Sequence, residues 1–208
     1  MHETTLKTLN DVNGAHIVCE KFELQCLKDF PEGKLYAAIM GLAYGGDVER
    51  IIRNWGERGE VWGYDTFIGH PKHLAQDQNA FEATCMEHWY RTIGTDALSY
   101  EYQRKVLDSL GFTNAHLIKG EVQKDSCKDI PYLNYAFLDM DIIASMQTGY
   151  EAVKDKLVEG GYLLLHDVNN IQTLIQWYTT EVRTDPMWEI LVEYDSLTAV
   201  LRKKHANR

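Results

Sequence analysis

The stretch Lys34-Leu-Tyr-Ala-Ala-Ile-Met-Gly41, continued by Leu42-Ala-Tyr-Gly-Gly-Asp47 and then Val48 to Arg58, decides how the chain is read. An apolar run closed by glycine predicts a buried strand. The glycines that follow predict a tight turn, and apolar positions at 48, 51, 52 and 55 mark one face of a helix. Outward from there the same rhythm repeats. Val61-Trp-Gly-Tyr-Asp65 is a second strand, ending in an acid 24 positions after Gly41. A helix through Tyr100 to Leu110 leads to a third strand, His116-Leu-Ile-Lys-Gly120. Tyr135-Ala-Phe-Leu-Asp139 is the fourth, followed by a helix from Gln147 to Val158, then Gly160-Gly161 and a fifth strand, Tyr162-Leu-Leu-Leu-His166. Strands alternating with helices predict a parallel sheet with helices on both faces.

The C-terminal part breaks the rhythm. Trp188-Glu-Ile-Leu-Val-Glu-Tyr194 and Leu197-Thr-Ala-Val-Leu-Arg202 are strand-like runs joined only by Asp195-Ser196, a link short enough to require an antiparallel hairpin. Before them, Ile171, Leu174, Ile175, Tyr178 and Val182 form the buried face of a helix that also holds Trp177. The expected fold is α/β: a Rossmann-like, mostly parallel seven-stranded sheet flanked by helices, with a C-terminal antiparallel β-hairpin. A helix over Ile17 to Phe30, within an N-terminal segment 1–33, completes a single domain spanning 1–208.

Composition sets limits on function. The chain has 208 residues, 45% of them apolar, and 31 acidic against 21 basic residues, a net charge of -10. That balance argues against nucleic acid and against anionic membrane as partners. The apolar run at Tyr162 to Leu165 is far short of the ~20 residues that cross a bilayer, and no basic-then-apolar leader pattern is visible. A cytoplasmic location is the expectation. Cys19, Cys26, Cys85 and Cys127 show neither CxxC nor zinc-ligand spacing and read as buried thiols.

Candidate chemistry falls at the carboxyl ends of the strands, where open parallel sheets bind ligands. Gly41 and Gly45 allow a ligand to approach the backbone, and the helix that follows favours an anionic group. Asp65 stands where such sheets place the acid that binds a ribose diol, although a capping role for one Asp reads nearly as well. Ala43 occupies the second glycine position of a dinucleotide GxGxxG, which disfavours a pyrophosphate there. Asp139-Met-Asp141 and His166-Asp-Val-Asn-Asn170 end neighbouring strands. If extension persists past Asp139, its carboxylate and that of Asp141 share one side. Crowded carboxylates then need a proton or a cation, and oxygen ligands suit Mg2+, Mn2+ or Ca2+.

Phe137-Leu-Asp-Met-Asp141, Tyr150-Glu151, Leu157-Val-Glu-Gly-Gly-Tyr162 and His166-Asp167 together resemble the metal-site stretch of the macrocin O-methyltransferase-like group of class I S-adenosylmethionine-dependent methyltransferases. Gly63-Tyr-Asp-Thr-Phe-Ile-Gly-His-Pro71 is similar to that group's Asp-Ser-Phe-x-Gly-x-Pro segment. Lys119-Gly120, ahead of Ile130-Pro131, is similar to its third-strand region. The resemblance spans roughly residues 35 to 170. It implies Asp139 and Asp167 as metal ligands, Asp141 as ligand or general base, and Asp65 on the ribose of S-adenosylmethionine. Gly41, Ala43, Gly45, Thr66, Gly120, Glu121 and Asp139 would line the cofactor pocket. Where the group carries two consecutive acids after the fifth strand, this chain has His166-Asp167; the imidazole then serves as a third metal ligand, as the base, or as a core hydrogen-bonding group.

The resemblance implies methyl transfer to a hydroxyl of a small-molecule acceptor, assisted by Mg2+ or another divalent cation, with Asp141 and His166 as catalytic groups and a homodimer as the assembly. Three rivals share the sheet. They are a metal-independent methyltransferase using His166 as base, a nicotinamide-dependent oxidoreductase, and a non-catalytic adenosyl-ligand-binding module. The long connector 70–105, which holds His70, His73, His88, Trp89 and Tyr90, reads as a lid or substrate-binding insertion.

Overall fold

A computed structural model describes residues 17–70, 98–195 and 197–205. Strands β1 (Leu35–Met40), β2 (Gly59–Asp65), β3 (Ala115–Lys119), β4 (Leu133–Leu138), β5 (Leu157–Leu165), β6 (Trp188–Asp195) and β7 (Thr198–Lys203) form one sheet in the order β3-β2-β1-β4-β5-β7-β6. The first five are parallel, and β7 runs antiparallel to both β5 and β6. The expected sheet and its terminal hairpin are therefore present.

Helices α1 (Ile17–Asp29), α2 (Gly46–Trp55) and α3 (Tyr100–Ser109) cover one face of the sheet. Val18, Cys19, Phe22 and Cys26 of α1 meet Val48, Ile51 and Trp55 of α2 over Ala37, Ile39 and Phe137. Helices α4 (Ile143–Val153) and α5 (Gln172–Trp177), the latter continued by a π-helical turn Tyr178–Val182, cover the other face through Met146, Tyr150, Leu174 and Trp177. Helix-covered faces leave the central strands dry, which is why β4 reads Leu-Asn-Tyr-Ala-Phe-Leu and is buried at every position. Its one polar side chain, Asn134, accepts a hydrogen bond from the Tyr36 amide through Oδ1 (3.0 Å).

A buried charge network ties α1 to α2. Arg50 forks onto Glu23 (2.6 Å) and also reaches Asp47 (2.5 Å), and Glu23 is fully buried. Burial pushes the Glu23 carboxyl up to about 7 against the pull of Arg50. The bidentate contact nevertheless requires an ionised carboxylate, so the pair stands as an ion pair whose value lies in not being broken.

Two boundaries differ from the sequence reading. The fourth helix spans Ile143–Val153 instead of 147–158, and β5 begins at Leu157 and passes straight through Gly160-Gly161. Gly160 takes φ +79, and the β4–β5 register shifts between Leu133 and Tyr135, so the glycines make an irregular strand and not a turn. The proposed insertion 70–105 lies largely outside the described residues; of it, His70 and residues 98–105 are described, and Ser99 caps α3 by accepting from the Tyr102 amide. No helix among the described residues is long and apolar enough to cross a membrane.

Candidate active site

Each parallel strand hands its chain to the same edge. The amide of Gly41 donates to the Tyr64 carbonyl, Gly120 to Asp65, Asp139 to Met40 and His166 to Leu138. This aligns the residues that follow β1 to β5 along one crevice. Strand order reverses between β1 and β4, and a ligand crevice opens at such a fork.

Gly41 sits in the fork at φ +85, and a Cβ there would lie 1.8 Å from the Asp139 carbonyl oxygen. The residue must therefore be glycine, both for conformation and for the close approach of the two strand ends. The loop after it is fixed by side chains from two other elements. Asp65 accepts from the amides of Leu42 (2.8 Å) and Ala43 (3.3 Å) through Oδ2, and from Phe67 (2.7 Å) through Oδ1. Gln103 of α3 donates to the Ala43 carbonyl (2.6 Å). Ala43 itself has φ +45, a conformation that holds because both its amide and its carbonyl are anchored. Gly45 (φ +73) then starts α2.

The capping role of Asp65 is thus observed. Its three amide contacts, with the Thr66 hydroxyl also 3.5 Å from Oδ1, engage both carboxylate oxygens in holding the loop. Thr66 spends its hydroxyl on the Gly69 carbonyl inside the turn. Gly120, at φ +144, has nothing within 4 Å of where a Cβ would be, so the far side of the crevice is open there; Glu121 beside it is exposed. Gly41, Ala43, Gly45, Asp65, Thr66, Gly120, Glu121 and Asp139 all fall along this edge.

On the near side lies the charged cluster. His166 Nδ1 is 3.0 Å from Asp139 Oδ1 and 3.3 Å from Asp167 Oδ2, and His70 Nε2 is 3.2 Å from Asp141 Oδ2. Burial opposes the charged form of His166, but Asp139 and then Asp167 outweigh it and push the ring up to about 11. Asp167, although buried, is held below the ordinary carboxyl range by His166. Burial pushes Asp141 up to about 6, with His70 pulling it down and the Asp139 charge adding to the rise. Solvent reaches 36% of the Asp141 side chain and screens part of that effect. Burial likewise opposes the charged form of His70, but its contact with Asp141 wins and raises it.

The expectation that Asp139 and Asp141 share one side depended on extension past Asp139, and extension does not persist: the strand ends at Leu138 and Asp141 takes φ +56. The acids still gather, Asp139 against His166 and Asp141 against His70 and Asp167, with the Asp139 charge felt at Asp141. Asp167 also has positive φ (+57), which places two left-handed aspartates at adjacent strand ends, where strained backbone concentrates at functional sites.

The donor set fits a cation. Asp139, His166 and Asp167 each offer an atom within 4.8 Å of the others, and two carboxylates with one imidazole suit a divalent ion. Two residues of the site, one in the cluster and one on the loop, escaped the sequence reading as site residues. His70 was one histidine among several in a long connector, and Gln103 carries no local signal, because its role is set by a loop 60 positions away.

No protein-family model matches the chain, and no curated protein matches it. Solved structures do. The O-methyltransferase NovP is 21% identical with a TM-score of 0.69, over 91% of this chain and 81% of that one. CalS11, a calicheamicin methyltransferase, is 15% identical with a TM-score of 0.63, over 92% and 80%. An rRNA methylase from Streptococcus thermophilus is 13% identical with a TM-score of 0.58, over 93% and 99%. The chain shares the fold of these methyltransferases, which is the fold that the strand-end motifs implied.

Proposed function

We propose that the protein is an S-adenosylmethionine-dependent O-methyltransferase acting on a small-molecule hydroxyl with help from a divalent cation. The observation that carries the reading is the convergence, at the β1–β4 fork, of a glycine-anchored loop, Asp65 and the Asp139–His166–Asp167 cluster. The loop and Asp65 would hold the adenosyl donor, with the Asp65 carboxylate on a ribose hydroxyl. Asp139, His166 and Asp167 would hold the cation, which when bound acidifies an acceptor hydroxyl.

Asp141 would accept the hydroxyl proton, with His70 holding its carboxylate. The acceptor oxygen then forms its bond to the methyl carbon as the sulfur–carbon bond breaks, leaving S-adenosylhomocysteine and a proton on Asp141. The residues' main contribution is to hold donor and acceptor in line, which supplies much of the rate in such displacements. The net charge of -10 supports a small acceptor over RNA.

The test is transfer of a labelled methyl group from S-adenosylmethionine across a panel of phenols and sugar hydroxyls, with Asp141→Asn and Asp139→Ala as controls. Label in an ether product that both variants lose supports the proposal. Transfer that is indifferent to both variants contradicts the assigned roles.

A further inference from the structure

The cluster that would hold the cation is not built from oxygen alone. We propose that Asp139, His166 and Asp167 select a first-row transition-metal dication over Mg2+ or Ca2+, with Nδ1 of His166 as a direct ligand. The inference rests on the cation part of the proposed function and adds the identity of the ion.

The geometry comes first. In a six-coordinate site with bonds of about 2.1 Å, neighbouring ligand atoms stand about 3.0 Å apart. The His166 Nδ1 separations, 3.0 Å to Asp139 Oδ1 and 3.3 Å to Asp167 Oδ2, are edges of that size. One ligand atom from each of the three residues lies within 4.8 Å of the others, so a small closing of the side chains brings all three onto one ion.

The ring's aim is also fixed. The His166 amide is pinned to the Leu138 carbonyl at the end of β5. The ring meets Phe137 edge-on, with centroids 6.2 Å apart at 85°. Nδ1 faces the two carboxylates. Chemistry decides the rest. Mg2+ and Ca2+ take oxygen ligands and gain little from an imidazole, whereas Fe2+, Co2+, Ni2+ and Zn2+ bind imidazole nitrogen well and Mn2+, at the weak end of that series, still accepts one. A His at this position weakens the site for hard ions and strengthens it for borderline ones.

The experiment uses Mn2+ as probe on the metal-free full chain at fixed pH. Binding is followed by loss of the aqueous Mn2+ electron paramagnetic resonance signal, Mg2+ is used as competitor, and pulsed spectra of the bound ion report any coupled nitrogen. Expected are one bound Mn2+ per chain, nitrogen modulation from a directly bound imidazole, and displacement only by a large excess of Mg2+. In His166→Asp the modulation should vanish and the Mn2+ to Mg2+ affinity ratio should fall at least about fivefold. Bound Mn2+ without nitrogen modulation, or with an unchanged ratio in the variant, overturns the proposal. So does failure of the wild-type chain to bind Mn2+ at all. The wild-type spectrum keeps the test decisive even if the variant does not fold. S-adenosylhomocysteine binding measured on the same samples separates the two readings. Its presence without Mn2+ sinks the metal inference alone, and Mn2+ bound without it sinks the methyltransferase reading.

Discussion

Replacing Gly41 with alanine is the sharpest perturbation of the fork. An L-residue held at φ +85 costs roughly 1–2 kcal/mol from conformation alone. The new Cβ would also lie 1.8 Å from the Asp139 carbonyl oxygen, and contacts below 3.0 Å essentially never occur, so β1 and β4 must part by about 1.2 Å at the buried end of the sheet. Gly111→Ala provides the control, because Gly111 has φ +76 with nothing within 4 Å of its Cβ. It isolates the conformational cost without the collision. In urea unfolding at equal slope, Gly111→Ala should lose roughly 1–2 kcal/mol. Gly41→Ala should lose more than about 4 kcal/mol, the range reached only when packing itself is broken. Gly41→Ala should also abolish S-adenosylhomocysteine binding, while Gly111→Ala keeps it. A Gly41→Ala protein within about 1 kcal/mol of its Gly111→Ala counterpart would refute the close approach at the fork.

Further outcomes follow from other contacts. Arg50→Ala strands the buried carboxylates of Glu23 and Asp47, and should cost about 3–5 kcal/mol near pH 8. Because the Glu23 pKa is already raised to about 7 in the folded protein, a protonated carboxyl there is tolerated. The deficit should therefore be smallest near pH 5 and grow as pH rises through 7, and a pH-independent urea midpoint difference would contradict this. Asp65→Ala leaves the Leu42, Ala43 and Phe67 amides without their acceptor, so it should lower stability by about 1–3 kcal/mol and S-adenosylhomocysteine affinity by at least about tenfold. Affinity unchanged in that variant would remove Asp65 from the donor site. Burial pushes the Cys127 thiol up to about 11, and Cys19 and Cys26 are buried as well. At pH 8 these three should react with a thiol reagent only after unfolding, which counting modified peptides with and without urea will show.

The central strands were legible because each is an apolar run that ends at or just before a polar residue or glycine, Gly41 after β1, Asp65 at the end of β2 and Asp139 after β4. The fourth helix was placed late because its N-terminus, after Ile142, has no side-chain cap. It was extended too far because Leu157-Val158 keep an apolar pattern into β5. Gly160-Gly161 carried a turn signal that a strand irregularity can equally produce. At the site, the residue types at the strand ends were readable, but their directions were not. The left-handed conformation of Asp141 depends on its surroundings, and its pairing with His70 joins two loops that are far apart in sequence. Gln103 was invisible for the same reason: tertiary structure alone brings it to Ala43.

The most direct test of the account is calorimetric titration of the protein with S-adenosylhomocysteine, with NADH as control. The account predicts micromolar binding of S-adenosylhomocysteine, lost in Gly41→Ala, and no heat with NADH. Binding of NADH, or no binding of S-adenosylhomocysteine with or without added Mn2+, would contradict it.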